Sequence, residues 1–133
     1  MENEINVPIA SDQDVVVARH KGRGLAAELG FSASDATLIA TAISELARNI
    51  VSYAGRGEIL LRTTNNSDRP GVMVVARDQG PGIASIEHAL RDGYSTSGSL
   101  GLGLPGVRRL VDEFEIVSEV GQGTTVTVRK WKG

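Results

Sequence analysis

Seven of the sixteen glycines in this chain fall between Gly80 and Gly106, and the cluster begins just after the apolar run 71–77 (GVMVVAR). Glycine at that density means backbone that bends sharply or lies against something that leaves no room for a Cβ. An apolar strand that ends in such a segment delivers its last side chains to the rim of a site. The rest of the chain has to supply a scaffold for that rim.

The scaffold follows from hydrophobic periodicity. Residues 4–10 read as a short strand, with Pro8 suited to an edge position. A helix begins at Ser11, with Asp14 three residues on as a weak capping box. Val15, Ala18, Gly22, Leu25 and Leu29 form its stripe, and Gly30 stops it. Ser32 or Ser34 opens a second helix. Its stripe is Leu38, Ile39, Ala42, Ile43, Leu46, Ala47, Ile50 and Ala54, and Gly55 closes it. Strands are expected at 58–64 and 71–77 around a polar turn, then a short helix near 85–92. A further helix starts around Leu104 or Pro105, where the proline costs least, and runs to about Asp112. Strands at 114–120 and 124–131 close the chain, with Val126 and Val128 facing opposite to Thr125, Thr127 and Arg129. Trp131 is expected to pack in the core or at the sheet edge. The order predicts an α+β fold, with the helices on one face of the sheet. A regular strand–helix alternation of the dinucleotide-binding kind is missing.

Composition narrows the function classes. Residues 1–133 suit one domain. A net charge of −2 and a pI near 5.7 give no basic field for a nucleic-acid backbone. Without cysteine there is no disulfide, thiolate nucleophile or Cys-ligated metal. The N-terminus has no basic start and no apolar signal core. No apolar run reaches membrane-span length. The expectation is a cytoplasmic protein with neither nucleic-acid nor membrane partners.

Four segments have the residue types that chemistry needs. On the second helix, Glu45 and Asn49 are four apart and share a face, well away from the centre of the apolar stripe. A carboxylate beside an amide oxygen suits a hydrated Mg²⁺ or an oriented hydroxyl. Taken alone, the pair reads more simply as an ordinary solvated helix face. Arg48, next to them in sequence, is expected to point elsewhere on the helix. After the apolar strand, Asp78-Gln-Gly80-Pro-Gly82-Ile83 puts a carboxylate at a rim where glycines let a flat ring approach; a simple β-turn is the alternative. Gly98-Ser-Leu-Gly101-Leu-Gly103 runs into a helix whose N-terminus suits phosphates. It lacks the Lys-Ser/Thr of a Walker loop and the preceding strand of a Rossmann fingerprint. Gly121-Gln-Gly123-Thr124-Thr125 reads as a tight turn, with the Thr124 hydroxyl available to a ligand. His20 and His88 are far from any second ligand pattern and read as surface or helix histidines rather than metal ligands.

Taken in order, ELARN, DQGPGI, GSLGLGL and GQGTT resemble the nucleotide-binding signatures of the GHKL ATPases, the class of gyrase, Hsp90, histidine kinases and anti-sigma-factor kinases. The match covers almost everything from residue 45 onward. Neither histidine-bearing dimerisation helices nor a transducer domain is read within residues 1–133, so the expectation is neither a whole sensor kinase nor a gyrase-like enzyme. The segments TAISELARNI, ARDQGPGI, DGYSTSGSLGLGLPGVRRLVDEF and RKW are most similar to the stressosome switch kinases.

The resemblance implies a two-layer α/β sandwich of the Bergerat type, with a mixed, mostly antiparallel sheet. It implies ATP and Mg²⁺, with Glu45 as general base, Asn49 as the Mg²⁺ ligand and Asp78 on the adenine amine. Gly80, Gly82 and Ile83 would shape the adenine pocket. Gly98, Gly101, Leu102 and Gly103 would serve the lid and phosphates, and Thr124 would sit by the adenine. The implied activity is serine/threonine phosphorylation of STAS-domain scaffold and antagonist proteins (RsbR-like and RsbS-like). After release from them, the kinase would activate an RsbU-like protein phosphatase in general stress signalling. The alternatives are a nucleotide-gated partner-switching module or an anti-sigma-factor kinase.

Overall fold

The computed structural model describes residues 4–82 and 103–133. Five strands form one sheet in the order β1-β2-β3-β5-β4. They are β1 (Glu4–Ile9), β2 (Gly57–Asn66), β3 (Arg69–Asp78), β4 (Glu113–Glu119) and β5 (Gly123–Trp131). Helices α1 (Asp12–Glu28), α2 (Ala33–Asn49) and α3 (Gly103–Leu110) complete the described elements. The short helix expected near 85–92 lies outside the described residues.

Local chemistry sets most boundaries. Asp14 Oδ2 accepts from the Ala10 N–H (2.8 Å) and the Ser11 hydroxyl (3.3 Å), so Asp14 holds the residue before the cap and the cap's hydroxyl, while the Ser11 side chain caps no helix N–H itself. Gly30 ends the helix at φ +86°, and the Phe31 N–H reaches back to the Ala26 carbonyl (3.0 Å). That is a Schellman ending, in which glycine takes the left-handed position. Ser32 caps α2 by accepting from the Asp35 N–H (3.1 Å). The β2–β3 turn uses Ser67 and Asp68, both at positive φ, the twist that a two-residue hairpin requires.

Every described strand pair is antiparallel, the majority arrangement expected of the sheet. The reason is topological. The path from β3 through α3 to β4 joins two strands that run the same way, and β5 inserts between them. Alternation then builds the core. Val7, Ile59, Ala76 and Val126 line up across the register, and Leu61, Val74 and Val128 form the adjacent row. All seven are buried under Ile39, Ile43, Leu46 and Val107 from the helices. Fully burying each such aliphatic side chain contributes about 1.5–3 kcal/mol. The opposite face carries Arg62, Met73, Arg77, Thr125, Thr127 and Arg129, laced by ion pairs of Arg62 with Glu4, Arg77 with Glu58 and Arg129 with Glu115. Pro8 lies on edge strand β1, as its missing donor demands. Trp131 is half-buried, with its ring against Gly71 and its Nε1–H donating to Glu113 Oε2 (3.1 Å). No described helix is long and apolar enough to cross a membrane.

Candidate nucleotide and catalytic site

The apolar spacing that makes α2 a helix also buries it. From Ala42 to Ala47 every residue is buried, because α1 and α3 flank the helix and the sheet lies beneath. Glu45 is therefore only 5% exposed, which corrects the expectation of a carboxylate on a solvated face. Its Oε1 accepts from Arg48 Nη1 at 3.0 Å and its Oε2 from the Gly103 N–H at 3.4 Å. Arg48 thus points at Glu45, one turn away, and not elsewhere on the helix. The second bond ties Glu45 to the first residue of α3, where Gly103 takes φ +68°. A buried charge of this kind persists only when it is paired.

Beyond Asn49, α2 widens into a π-type turn over Ile50–Ala54, closed by the Gly55 N–H donating to the Ile50 carbonyl (2.9 Å). Such turns re-aim the end of a helix. This one carries Ile50 and Ala54 to the end of β3, one residue and one turn beyond Asn49. A Cβ on Gly80 would lie 2.6 Å from Ala54 Cβ, and one on Gly57 would meet Ile50 Cγ2 at 2.9 Å and Asp78 Cβ at 3.1 Å. Glycine is required at both positions for the helix end to approach the strand. Asn49 is half-buried, and no described residue hydrogen-bonds its side chain.

Asp78 is the last residue of β3. Its Oδ1 accepts from two backbone donors, the Gly80 N–H (2.9 Å) and the Thr124 N–H (3.3 Å). Among the described residues, Oδ2 accepts none and remains able to take a hydrogen bond from an exocyclic amine. Thr124 is opposite Asp78 in the β3–β5 register. The Thr124 hydroxyl is 2.8 Å from Ser118 Oγ, which also donates to the Gly123 carbonyl at 3.1 Å. The loop after β3 docks on the β4–β5 turn. There the Gly121 N–H donates to the Pro81 carbonyl (2.8 Å), and a Cβ on Gly82 would collide with the Glu119 carbonyl. Gly121 is an ordinary turn glycine with open space around it. Gly123 does more, since a Cβ there would collide with the Asp78 carbonyl.

The end of α2, the end of β3, the start of α3 and the start of β5 therefore share one corner. Glu45, Asn49, Asp78, Gly80, Gly82, Gly103 and Thr124 belong to it. Ile83, Gly98, Gly101 and Leu102 lie outside the described residues, as do His88 and the stretch 94–97. His20 is exposed on α1. Sequence reasoning missed Gly57, Ala54 and Ser118 and misplaced Arg48. Arg48 could have been found from its three-residue spacing to Glu45, which places two helix residues side by side. Ser118 follows once the turn at Gly121 fixes the register opposite Thr124.

The model of the histidine kinase-like ATPase domain matches residues 9–130. The chain belongs to that family. It is 49% identical to the serine/threonine-protein kinase RsbT of Bacillus subtilis over 98% of both chains. An anti-sigma F factor of Halalkalibacterium halodurans is 30% identical over 98% of this chain and 93% of its own length. Among solved structures, the RsbU and RsbW domains of a Mycobacterium tuberculosis protein superpose over 98% of this chain with a TM-score of 0.64. At 24% identity that likeness speaks to the fold, and this chain spans about a third (32%) of that longer one. Within the histidine kinase-like ATPase family, the chain is an ATP-dependent enzyme of the serine/threonine-protein kinase type.

Proposed function

We propose that this enzyme transfers the γ-phosphate of ATP to a serine or threonine of STAS-domain scaffold and antagonist proteins. Once released from them, it binds and activates a protein phosphatase in a cytoplasmic stress-signalling circuit. The observation that carries the catalytic part is Glu45, a buried carboxylate fixed by two donors beside the corner that holds Asp78 and Thr124. The relative named serine/threonine-protein kinase RsbT supports the choice of acceptor class.

In this reading Asp78 Oδ2 accepts from the adenine amine, Gly80 and Gly82 let the ring lie against backbone, and Thr124 sits beside it. Ile83 completes the adenine pocket, and Gly98, Gly101, Leu102 and Gly103 belong to the lid and phosphate contacts. Glu45 takes the proton from the acceptor hydroxyl as its oxygen bonds to the γ-phosphorus. The bond to the bridging oxygen breaks, and its electron pair leaves on ADP. Phosphoryl transfer asks mainly for positioning and charge neutralisation, which suits a site with one base and many backbone donors.

The donor set fits Mg²⁺. Among the described residues no three His, Cys, Asp or Glu side chains gather to cage a metal, whereas Asn49 offers one hard amide oxygen at the corner. A cation held chiefly by substrate phosphates and one protein oxygen is the pattern Mg²⁺ favours. When bound, it neutralises the phosphate charge that develops during transfer.

The test is incubation of the protein with labelled ATP, Mg²⁺ and purified STAS-domain proteins, followed by mapping of the modified residue. Label on a serine or threonine of the STAS protein is the expected result. Label on histidine or aspartate, or none, overturns the assignment. The likeness to anti-sigma F factors supports a second reading, a nucleotide-gated binding module. A stoichiometric complex with the partner, formed without transfer, would favour it.

A further inference from the structure

We propose that Arg48 is a positioning residue for phosphoryl transfer, fixing the plane and rotamer of the Glu45 carboxylate; this rests on the reading of Glu45 as the base. Glu45 is buried, yet the other charged side chain bonded to it is on its own helix, three residues on. The remaining described donor, the Gly103 N–H, is at 3.4 Å, the long end of hydrogen bonding. The 3.0 Å contact from Arg48 is thus the firm restraint, and it anchors Oε1. Oε2, bonded weakly and turned toward the start of α3, is the oxygen left to receive a proton.

The restraint is supplied by α2 alone. It therefore exists before nucleotide or acceptor arrives, which is the condition for a preorganised base. Glutamate has three side-chain torsions, and a carboxylate without its anchor samples several of them. Transfer needs reacting atoms held near 3–3.5 Å, and a misplacement of about 1 Å costs as much as 10²-fold. The restraint is a single charged bond, from Nη1 to Oε1, so a lysine ammonium at the same position can supply most of it. The Arg48 side chain is 45% exposed, so it can be replaced without opening a cavity.

The experiment compares Arg48→Ala, Arg48→Lys, Glu45→Gln and the double variant Arg48→Ala/Glu45→Gln, using labelled ATP, Mg²⁺ and a purified STAS-domain protein. Arg48→Ala should lower kcat about tenfold, with KM for ATP and for the acceptor held within about twofold. Arg48→Lys should recover most of the loss. In the Glu45→Gln background, Arg48→Ala should cost nothing more, because there is no carboxylate left to position. Three results overturn the proposal while leaving the base reading intact. They are full kcat in Arg48→Ala, a rise confined to the acceptor KM, or the same fractional loss in both backgrounds. Full transfer by Glu45→Gln instead overturns the base reading itself, and the proposal with it.

Discussion

Thr124 and Asp78 face each other across the β3–β5 ladder, and the Thr124 N–H donates to the same carboxylate oxygen that receives the Gly80 N–H. One oxygen of Asp78 is thereby committed to structure and the other is left for a ligand. Asp78→Asn keeps the acceptor for both backbone donors but places an NH₂ where Oδ2 stood, so donor meets donor at the adenine amine. Leaving such a polar pair unsatisfied costs about 1–3 kcal/mol, roughly 5–150-fold in ATP affinity. Titration calorimetry measures that loss, and the melting temperature should barely move. An unchanged Kd would remove Asp78 from adenine recognition.

Ser118→Ala deprives the Thr124 hydroxyl of its partner at 2.8 Å. A hydrogen bond of this kind contributes about 1 kcal/mol, so ATP affinity should fall roughly fivefold. Equal affinity in the variant would mean that Thr124 needs no support from β4.

Two glycines of one turn should behave differently. Gly123→Ala puts a side chain at φ +121° and drives it into the Asp78 carbonyl, so it should cost about 1–3 kcal/mol or more in urea denaturation and weaken ATP binding. Gly121→Ala has φ +83° but open space, so it should cost about 1–2 kcal/mol and leave ATP affinity unchanged. Equal effects on ATP affinity would contradict the role given to Gly123.

Ser32→Ala removes the α2 cap and should cost about 1 kcal/mol of stability. ATP affinity should not change, since the capped end lies four turns from Asn49. Calorimetric melting together with ATP titration checks both halves.

The elements were legible in the sequence because their punctuation is chemical. Gly30 and Gly55 each end a helix at positive φ, Ser32 caps one, and Val126 and Val128 alternate inward. The corner was legible through Asp78, Gly80 and Thr124, whose types and order carry the signal. What escaped was set by tertiary packing. Glu45 looks solvated on a helical wheel because the wheel omits α3, which covers that flank. Arg48 is the exception, since its i,i+3 spacing to Glu45 was legible and was not used. The sequence left open whether any pair is parallel; every described pair is antiparallel because β5 inserts between β3 and β4, an order that periodicity does not encode.

The proposed transfer depends most directly on Glu45, and the direct measurement is Glu45→Gln assayed for ATP binding and single-turnover phosphoryl transfer in parallel. The substitution keeps the shape and removes the basic oxygen. Binding should hold within about twofold while transfer falls by roughly 10²-fold or more. Transfer at the rate of the unaltered protein would contradict the assignment of the base.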